Sequence, residues 1–228
     1  MLAVEEISEI ASRLEDSPPQ EIVSWAVNTF NKGIAFACSF GMEDVCIVDM
    51  IAKTGAEANI FYLDTSLLFK ETHELIQKLG DRYGIKFESV RTECTLEQQA
   101  EQHGDDLWTV SPDLCCNIRK VAPLKKKLST LEAWMTGIRR DQTKERAHAK
   151  TVEWDKKFGL VKVNPLVRWT SSDTRDYITK HGVPYNPLHD KGYPSIGCEP
   201  CTFPVKPGED PRAGRWKGFA KKECGLHK

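Results

Sequence analysis

The chain has 228 residues, of which 40% are hydrophobic and 29% charged, enough apolar content to build one sizeable core. Its 32 Lys and Arg nearly cancel its 33 Asp and Glu, leaving a formal net charge of −1 and no general electrostatic reason to expect a nucleic-acid or membrane partner. The acidic opening MLAVEEISEIASRLED lacks the cationic start and apolar run of a secretory leader, and no stretch approaches the roughly 20 apolar residues of a membrane span, so a soluble cytoplasmic protein is expected.

Residues 1–30 are expected to form N-terminal helices. Ile7, Ile10, Ala11 and Leu14 recur at helical spacing over 4–16, Pro18 and Pro19 end that helix, and a second follows at 21–30. Apolar strand-like runs then alternate with helical patterns. Strands are predicted at 33–38 (GIAFAC), 59–63 (NIFYL), 85–90 and 132–138, with a fifth at 161–163; helices are predicted at 44–53, 67–80, 95–103, 114–128 and 171–181, the last capped by Ser171 or Ser172. Such alternation predicts an α/β fold, a parallel sheet with helices on both faces, within a single domain over 1–228. Ligands of such sheets gather at the carboxyl ends of the strands, which places Ser39, Asp64 and Arg139 near one site. From about 183 the chain turns irregular and rich in Gly and Pro (PYNPLHDKGYPSIGCEPC), and residues 205–228 read as a mobile catalytic tail.

Eight cysteines in a cytosolic chain point to metal binding or catalysis rather than disulfides. Four form two tight pairs remote in sequence, Cys115-Cys116 and Cys198-Glu199-Pro200-Cys201, which suits one thiolate-held centre stapling two segments. Neighbouring residues on a helix point about 100° apart, so converging on one zinc ion strains them, whereas a cubane offers each thiolate its own iron; this favours [4Fe–4S] over zinc. A redox Cys-x-x-Cys with two buried thiols is the bland alternative. Cys38, Cys46 and Cys94 read as small buried hydrophobes.

Cys224 stands in KKECGLHK, beside cations that lower a thiol's pKa, which makes it a candidate nucleophile for an anionic electrophile, with an incidental exposed thiol as the alternative. Lys120 lies one helical turn after Cys116 and faces the same side. Arg139, Arg140, Arg212 and Arg215 offer bidentate forks for phosphate or sulfate, against solvated surface charge as the alternative. The turn Ser39-Phe40-Gly41-Met42-Glu43-Asp44 opens a helix whose N–H groups favour anions, and Asp64 is either a site residue or a helix cap.

Taken together, SFGMED, LDT, the CC…CxxC set, EDPRAGRW and KKECGLH resemble the sulfonucleotide reductases over residues 33–228, and more narrowly their iron–sulfur, adenylylsulfate (APS)-using assimilatory branch. The resemblance implies an adenine-nucleotide α-hydrolase-like (PP-loop) fold and a [4Fe–4S] cluster on Cys115, Cys116, Cys198 and Cys201. It implies that Cys224 attacks the sulfur of APS, that AMP leaves, and that thioredoxin or a similar dithiol donor releases sulfite from the S-sulfonated cysteine. It implies that Ser39 and Gly41 line the nucleotide pocket, that Asp64 and Thr65 lie near the adenosine, and that Lys120, Arg139, Arg140, Arg212, Arg215 and His227 surround the phosphosulfate. SFGMED departs from the SGGxD-type loop of ATP-using relatives, which argues against ATP hydrolysis and an RNA-thiolating enzyme. The remaining alternatives are 3′-phosphoadenylylsulfate (PAPS), alone or beside APS, as substrate, and a noncatalytic iron–sulfur sensor. The oligomeric state, a homo-oligomer included, is left open.

Overall fold

In the computed structural model, residues 4–221 and 223–226 are described. Helices α1 (Val4–Leu14) and α2 (Pro19–Phe30) open the chain; the proline pair both stops α1 and starts α2, with Pro18 at the cap and Pro19 in the first turn, where its missing N–H costs nothing. Then come β1 (Ile34–Ala37), α3 (Met42–Thr54), β2 (Asn59–Leu63), α4 (Lys70–Tyr83), β3 (Glu88–Val90) and α5 (Leu96–His103). Two short helices, α6 (Leu107–Val110) and α7 (Pro112–Cys116), lead through a π-helical turn at Asn117–Val121 into α8 (Ala122–Leu128). Strands β4 (Ala133–Met135), β5 (Val152–Asp155) and β6 (Leu160–Val163) and helix α9 (Ser171–His181) complete the regular structure.

The six strands form one sheet in the order β3-β2-β1-β4-β6-β5. The expected parallel sheet is present, with one antiparallel addition: β5 pairs with β6 as a hairpin on the edge. Side-chain alternation splits the core in two. Ile34, Phe36, Ile60, Met135, Val161 and Val163 face α2, α3, α4 and α9. Ala35, Phe61, Trp134 and Leu160 face the other way, against Leu124 and Leu128 of α8.

Several helix ends follow local chemistry. Gly55, at φ +69°, closes α3 in the left-handed conformation that favours glycine. Helix α9 is capped by Thr170 rather than Ser171 or Ser172, because Thr170 and Asp173 form a reciprocal capping box. Asp64 caps no helix: its carboxylate takes the Ser66 N–H at 3.0 Å and the Arg91 Nε at 2.9 Å. Cys38 and Cys46 are buried as expected, but Cys94 is only half-buried. Among the described residues no helix is long and apolar enough to cross a membrane.

Three helices on one face are tied by a single carboxylate. Asp49 of α3 accepts from Tyr83 of α4 at 2.9 Å, from Tyr177 of α9 at 2.6 Å and from its own Lys53 at 2.6 Å. Burial pushes its pKa up, but the hydrogen bonds from Lys53, Tyr177 and Tyr83 outweigh that and hold it below the usual carboxylate value. A depressed folded pKa contributes stability that is fully present above the ordinary value of 3.8 and is lost as pH falls through the folded one. Asp49→Asn is therefore expected to cost about 1.5–3 kcal/mol at neutral pH. In urea unfolding across a pH series, the gap to the parent should close below pH 3.8; equal stability at pH 7 contradicts the reading.

Candidate active site and four-cysteine cavity

Strand order reverses between β1 and β4, and at their carboxyl ends a cleft of about 400 Å³ opens, within the usual range for a small-molecule site. One wall is the β1–α3 turn, Ser39 to Asp44; the facing wall is Gly137 to Arg139 after β4. The approach of the two walls requires glycine, since a Cβ on Gly137 would lie 2.0 Å from Asp44 Oδ1. Segments 194–197 and 211–216, with the tail residues Glu223 and Cys224, close the other end. Phe40, Ser66 and Trp216 around this region all carry positive φ (60°, 59° and 47°), a costly conformation for residues with side chains.

The cleft is electrically polar. Its β1–α3 end is acidic: Glu43 and Asp44 sit in the first turn of α3, and Asp44 already accepts the Ser39 N–H and its hydroxyl, the latter at 2.7 Å. The helix start expected to attract an anion is thus occupied by the protein's own carboxylates. Burial pushes Asp44 up to about 6, against those Ser39 hydrogen bonds. Arg139 reaches this wall but is clamped between Glu43 and Asp141. Around Cys224 the lining is basic: Lys120 and Arg212 both feel the Cys224 sulfur and Arg215 lies beside Lys120, whereas Arg146 lies close enough to Asp44 to pull its pKa down.

Behind the basic end lies a second, small cavity lined by Cys115, Cys116, Cys198 and Cys201 together with Arg119 and Lys120. Cys115 and Cys116 close α7, and the turn after them widens to a π-helix, where Pro123 has no N–H to offer the Arg119 carbonyl four residues back. Cys198 and Cys201 flank a tight turn that Leu67 pins, its carbonyl accepting the Glu199 N–H at 2.8 Å. Burial raises Cys115 to about 11 and Cys201 to about 12, with the other thiols of the set adding to the rise. Burial also pushes Cys198 up, but the Lys120 charge, hydrogen bonds from Thr65 and Lys120, and Arg215 bring it below its usual value. Among the described residues no three acidic, His or Cys groups converge on a single ion. The four thiols share one cavity that Arg119 also lines, and the buried Arg119 Nη2 has no hydrogen-bond partner among the described residues. Four thiols beside the buried Arg119 and the half-buried Lys120 fit an anionic, sulfur-rich group such as an iron–sulfur cluster.

Lys120 and Trp216 belong to both cavities and form the partition between them. Burial lowers the Lys120 pKa, but the nearby Cys198, Cys224 and Cys116 thiols overcome this and raise it. In the tail, Lys221 pairs with Asp113, Lys157 donates to the Gly225 carbonyl, and Leu226 packs against the α8 core.

Of the expected site residues, Ser39, Gly41, Lys120, Arg139, Arg212, Arg215 and Cys224 line the cleft. Arg140 is not in that lining; its Nε donates to the Ala149 carbonyl at 2.8 Å and its guanidinium pairs with Glu15 of the connection after α1 at 2.7 Å. Asp64 and Thr65 also lie outside the lining; Asp64 pairs with Arg91, and Thr65 Oγ1 is 3.3 Å from Cys198 Sγ. His227 lies outside the described residues. Among the charged and histidine residues of the cleft that the sequence did not single out are Arg146, Glu223 and His189. His189 lines the cleft with neither ring nitrogen in a hydrogen bond of ordinary geometry, and burial pushes its pKa down to about 4, which keeps it neutral at physiological pH.

A profile of the phosphoadenosine phosphosulfate reductase domain matches residues 33–204. The adenosine 5′-phosphosulfate reductase of Halalkalibacterium halodurans is 47% identical over 222 residues, covering 97% of this chain and 96% of its own. The crystal structure of the phosphoadenylyl-sulfate (PAPS) reductase of Candida auris superposes with a TM-score of 0.79 at 33% identity, over 89% of this chain and 98% of that one. The FMN adenylyltransferase of Candida glabrata shares the fold alone, with a TM-score of 0.61 at 14% identity, over 90% of this chain and 67% of that one. With a family model matching residues 33–204 and a curated relative 47% identical over 97% of this sequence, the chain belongs to the phosphoadenosine phosphosulfate reductase family.

Proposed function

We propose that this protein reduces APS to sulfite and AMP in the cytoplasm, through an S-sulfonated Cys224, in assimilatory sulfate reduction. The observation that carries the reading is the position of Cys224: the thiol lies in the basic end of a nucleotide-sized cleft, with Lys120, Arg212 and Arg215 in the same lining. The polarity orients the substrate. The nucleoside takes the end between Ser39–Gly41 and Gly137, where an anion would meet Glu43 and Asp44, and the phosphosulfate takes the end with the cations. The identity of relatives named for APS favours that substrate over PAPS.

The step balances as an in-line substitution. The Cys224 thiolate attacks the sulfur, the sulfur–oxygen bond of the anhydride breaks, and AMP departs with the electron pair. Lys120 and the arginines neutralise the charge that develops on the leaving phosphate. A dithiol donor of the thioredoxin type then attacks the Cys224 sulfur. Sulfite leaves, Cys224 returns to a thiol, and the donor supplies two electrons by closing its own disulfide.

Cys115, Cys116, Cys198 and Cys201 would hold the [4Fe–4S] cluster. Its chemistry there is electrostatic, an anionic sulfur-rich neighbour that orients the Lys120 ammonium. Lys120 and Trp216 separate it from the substrate and keep the cleft's own residues in charge of bond making.

Cys224→Ser is expected to abolish sulfite release. Mass spectrometry of the parent mixed with APS, without reductant, should show one SO₃ on the peptide bearing Cys224 and none on the variant. A parent that stays unmodified, or a variant that still releases sulfite, contradicts the proposal. The same assay with PAPS should give much slower labelling. Anaerobic protein should contain four irons and four sulfides per chain, as a [4Fe–4S] centre requires; one zinc instead overturns the cluster assignment.

A further inference from the structure

Cys224 is held in the cleft chiefly through the residue before it. Glu223 is only 1% exposed, although a carboxylate is buried at high cost unless it is paired and hydrogen-bonded. Its oxygens accept from Arg146 Nε at 3.0 Å and Nη2 at 2.8 Å, a bidentate charge-assisted pair. Arg212 Nη2 adds a contact at 3.3 Å and Thr143 Oγ1 one at 3.4 Å. Arg146 is fixed in turn, since its Nη1 donates to Gln142 Oε1. All three of its nitrogens are thus turned to protein partners, which suits holding the tail better than holding a substrate anion. Glu223 and Cys224 are consecutive, so their Cα atoms lie about 3.8 Å apart, and fixing one carboxylate confines the neighbouring thiol.

We propose that Glu223 is a positioning residue: its ion pair with Arg146 and Arg212 latches the tail and sets the Cys224 sulfur at the basic end of the cleft for attack. The latch rests on the reading of Cys224 as the nucleophile. It acts chiefly on orientation, because Arg212, which the phosphosulfate would also meet, stays in the cleft lining when Glu223 is replaced. The nucleotide's contacts lie on the cleft walls, whereas the latch determines whether the thiol stands in line with the sulfur–oxygen bond that breaks.

The test uses the full-length, iron-loaded protein and Glu223→Gln, which keeps the shape and removes the charge, with Glu223→Asp as the conservative variant. Without substrate, the Gln variant should be cleaved faster by trypsin after Lys221 or Lys222, and the peptide bearing Cys224 should be alkylated faster by iodoacetamide. With saturating APS and no reductant, single-turnover addition of SO₃ to Cys224 should fall by about 10²-fold, as misplacement of a reacting group does, while the APS dissociation constant stays within about twofold. Glu223→Asp should recover part of the rate. Unchanged tail cleavage and alkylation overturn the latch. Tighter APS binding at an unchanged transfer rate also overturns it, since Glu223 would then be competing with the substrate anion. If the parent itself gains no SO₃ on Cys224, the nucleophile reading falls, and the substrate-free cleavage and alkylation still decide the latch.

Discussion

An ammonium taken even partly out of water needs counter-charge, and Lys120 stands half-buried between two sulfur-bearing regions. On one side are the four paired cysteines; on the other is the cleft with Cys224. The thiols of Cys198, Cys224 and Cys116 are the groups that raise its pKa against the cost of burial. In return, Lys120 is the largest of the influences that lower Cys198. This reciprocity makes the partition a charge bridge. On the proposed reading, a cluster in the cysteine cavity would act on the cleft through the orientation of this one side chain.

The fold delivers that bridge by joining remote parts of the chain. The π-helical turn after Cys116 aims Lys120 into the partition, and the turn at Cys198 is pinned to Leu67 after β2. Trp216 closes the partition, with the Arg215 guanidinium stacked 4.6 Å from its ring centre and the Lys221 ammonium 5.2 Å away. Any group that links the two cysteine pairs therefore also fixes the basic end of the cleft. The acidic end, by contrast, comes from the β1–α3 turn alone and needs no staple.

Periodicity and pairing carried much of this in the sequence. Short apolar runs followed by helical patterns disclose β1, β2 and β4, and an adjacent cysteine pair far from a Cys-x-x-Cys discloses the second cavity. Strand β5 escaped because four residues, Val152 to Asp155, alternate too briefly to stand out from a loop. Adjacent arginines are equivalent in a sequence, and only the chain's path sends Arg139 to the cleft and Arg140 to Glu15. Arg146 and Glu223 were illegible for a related reason: each sits in an ordinary charged stretch, and their meaning arises from a contact across 77 residues of chain. His189 gave no signal either, since a histidine in a loop acquires its role only from the walls around it.

The charge bridge is tested most directly by replacing Lys120 with methionine in the full-length, iron-loaded protein and timing the transfer of SO₃ from APS to Cys224 in a single turnover. The account predicts a fall of about 10²–10³-fold, the usual loss when one preorganised charge donor is removed, with the iron content unchanged. Full iron content together with an unaltered transfer rate would contradict it.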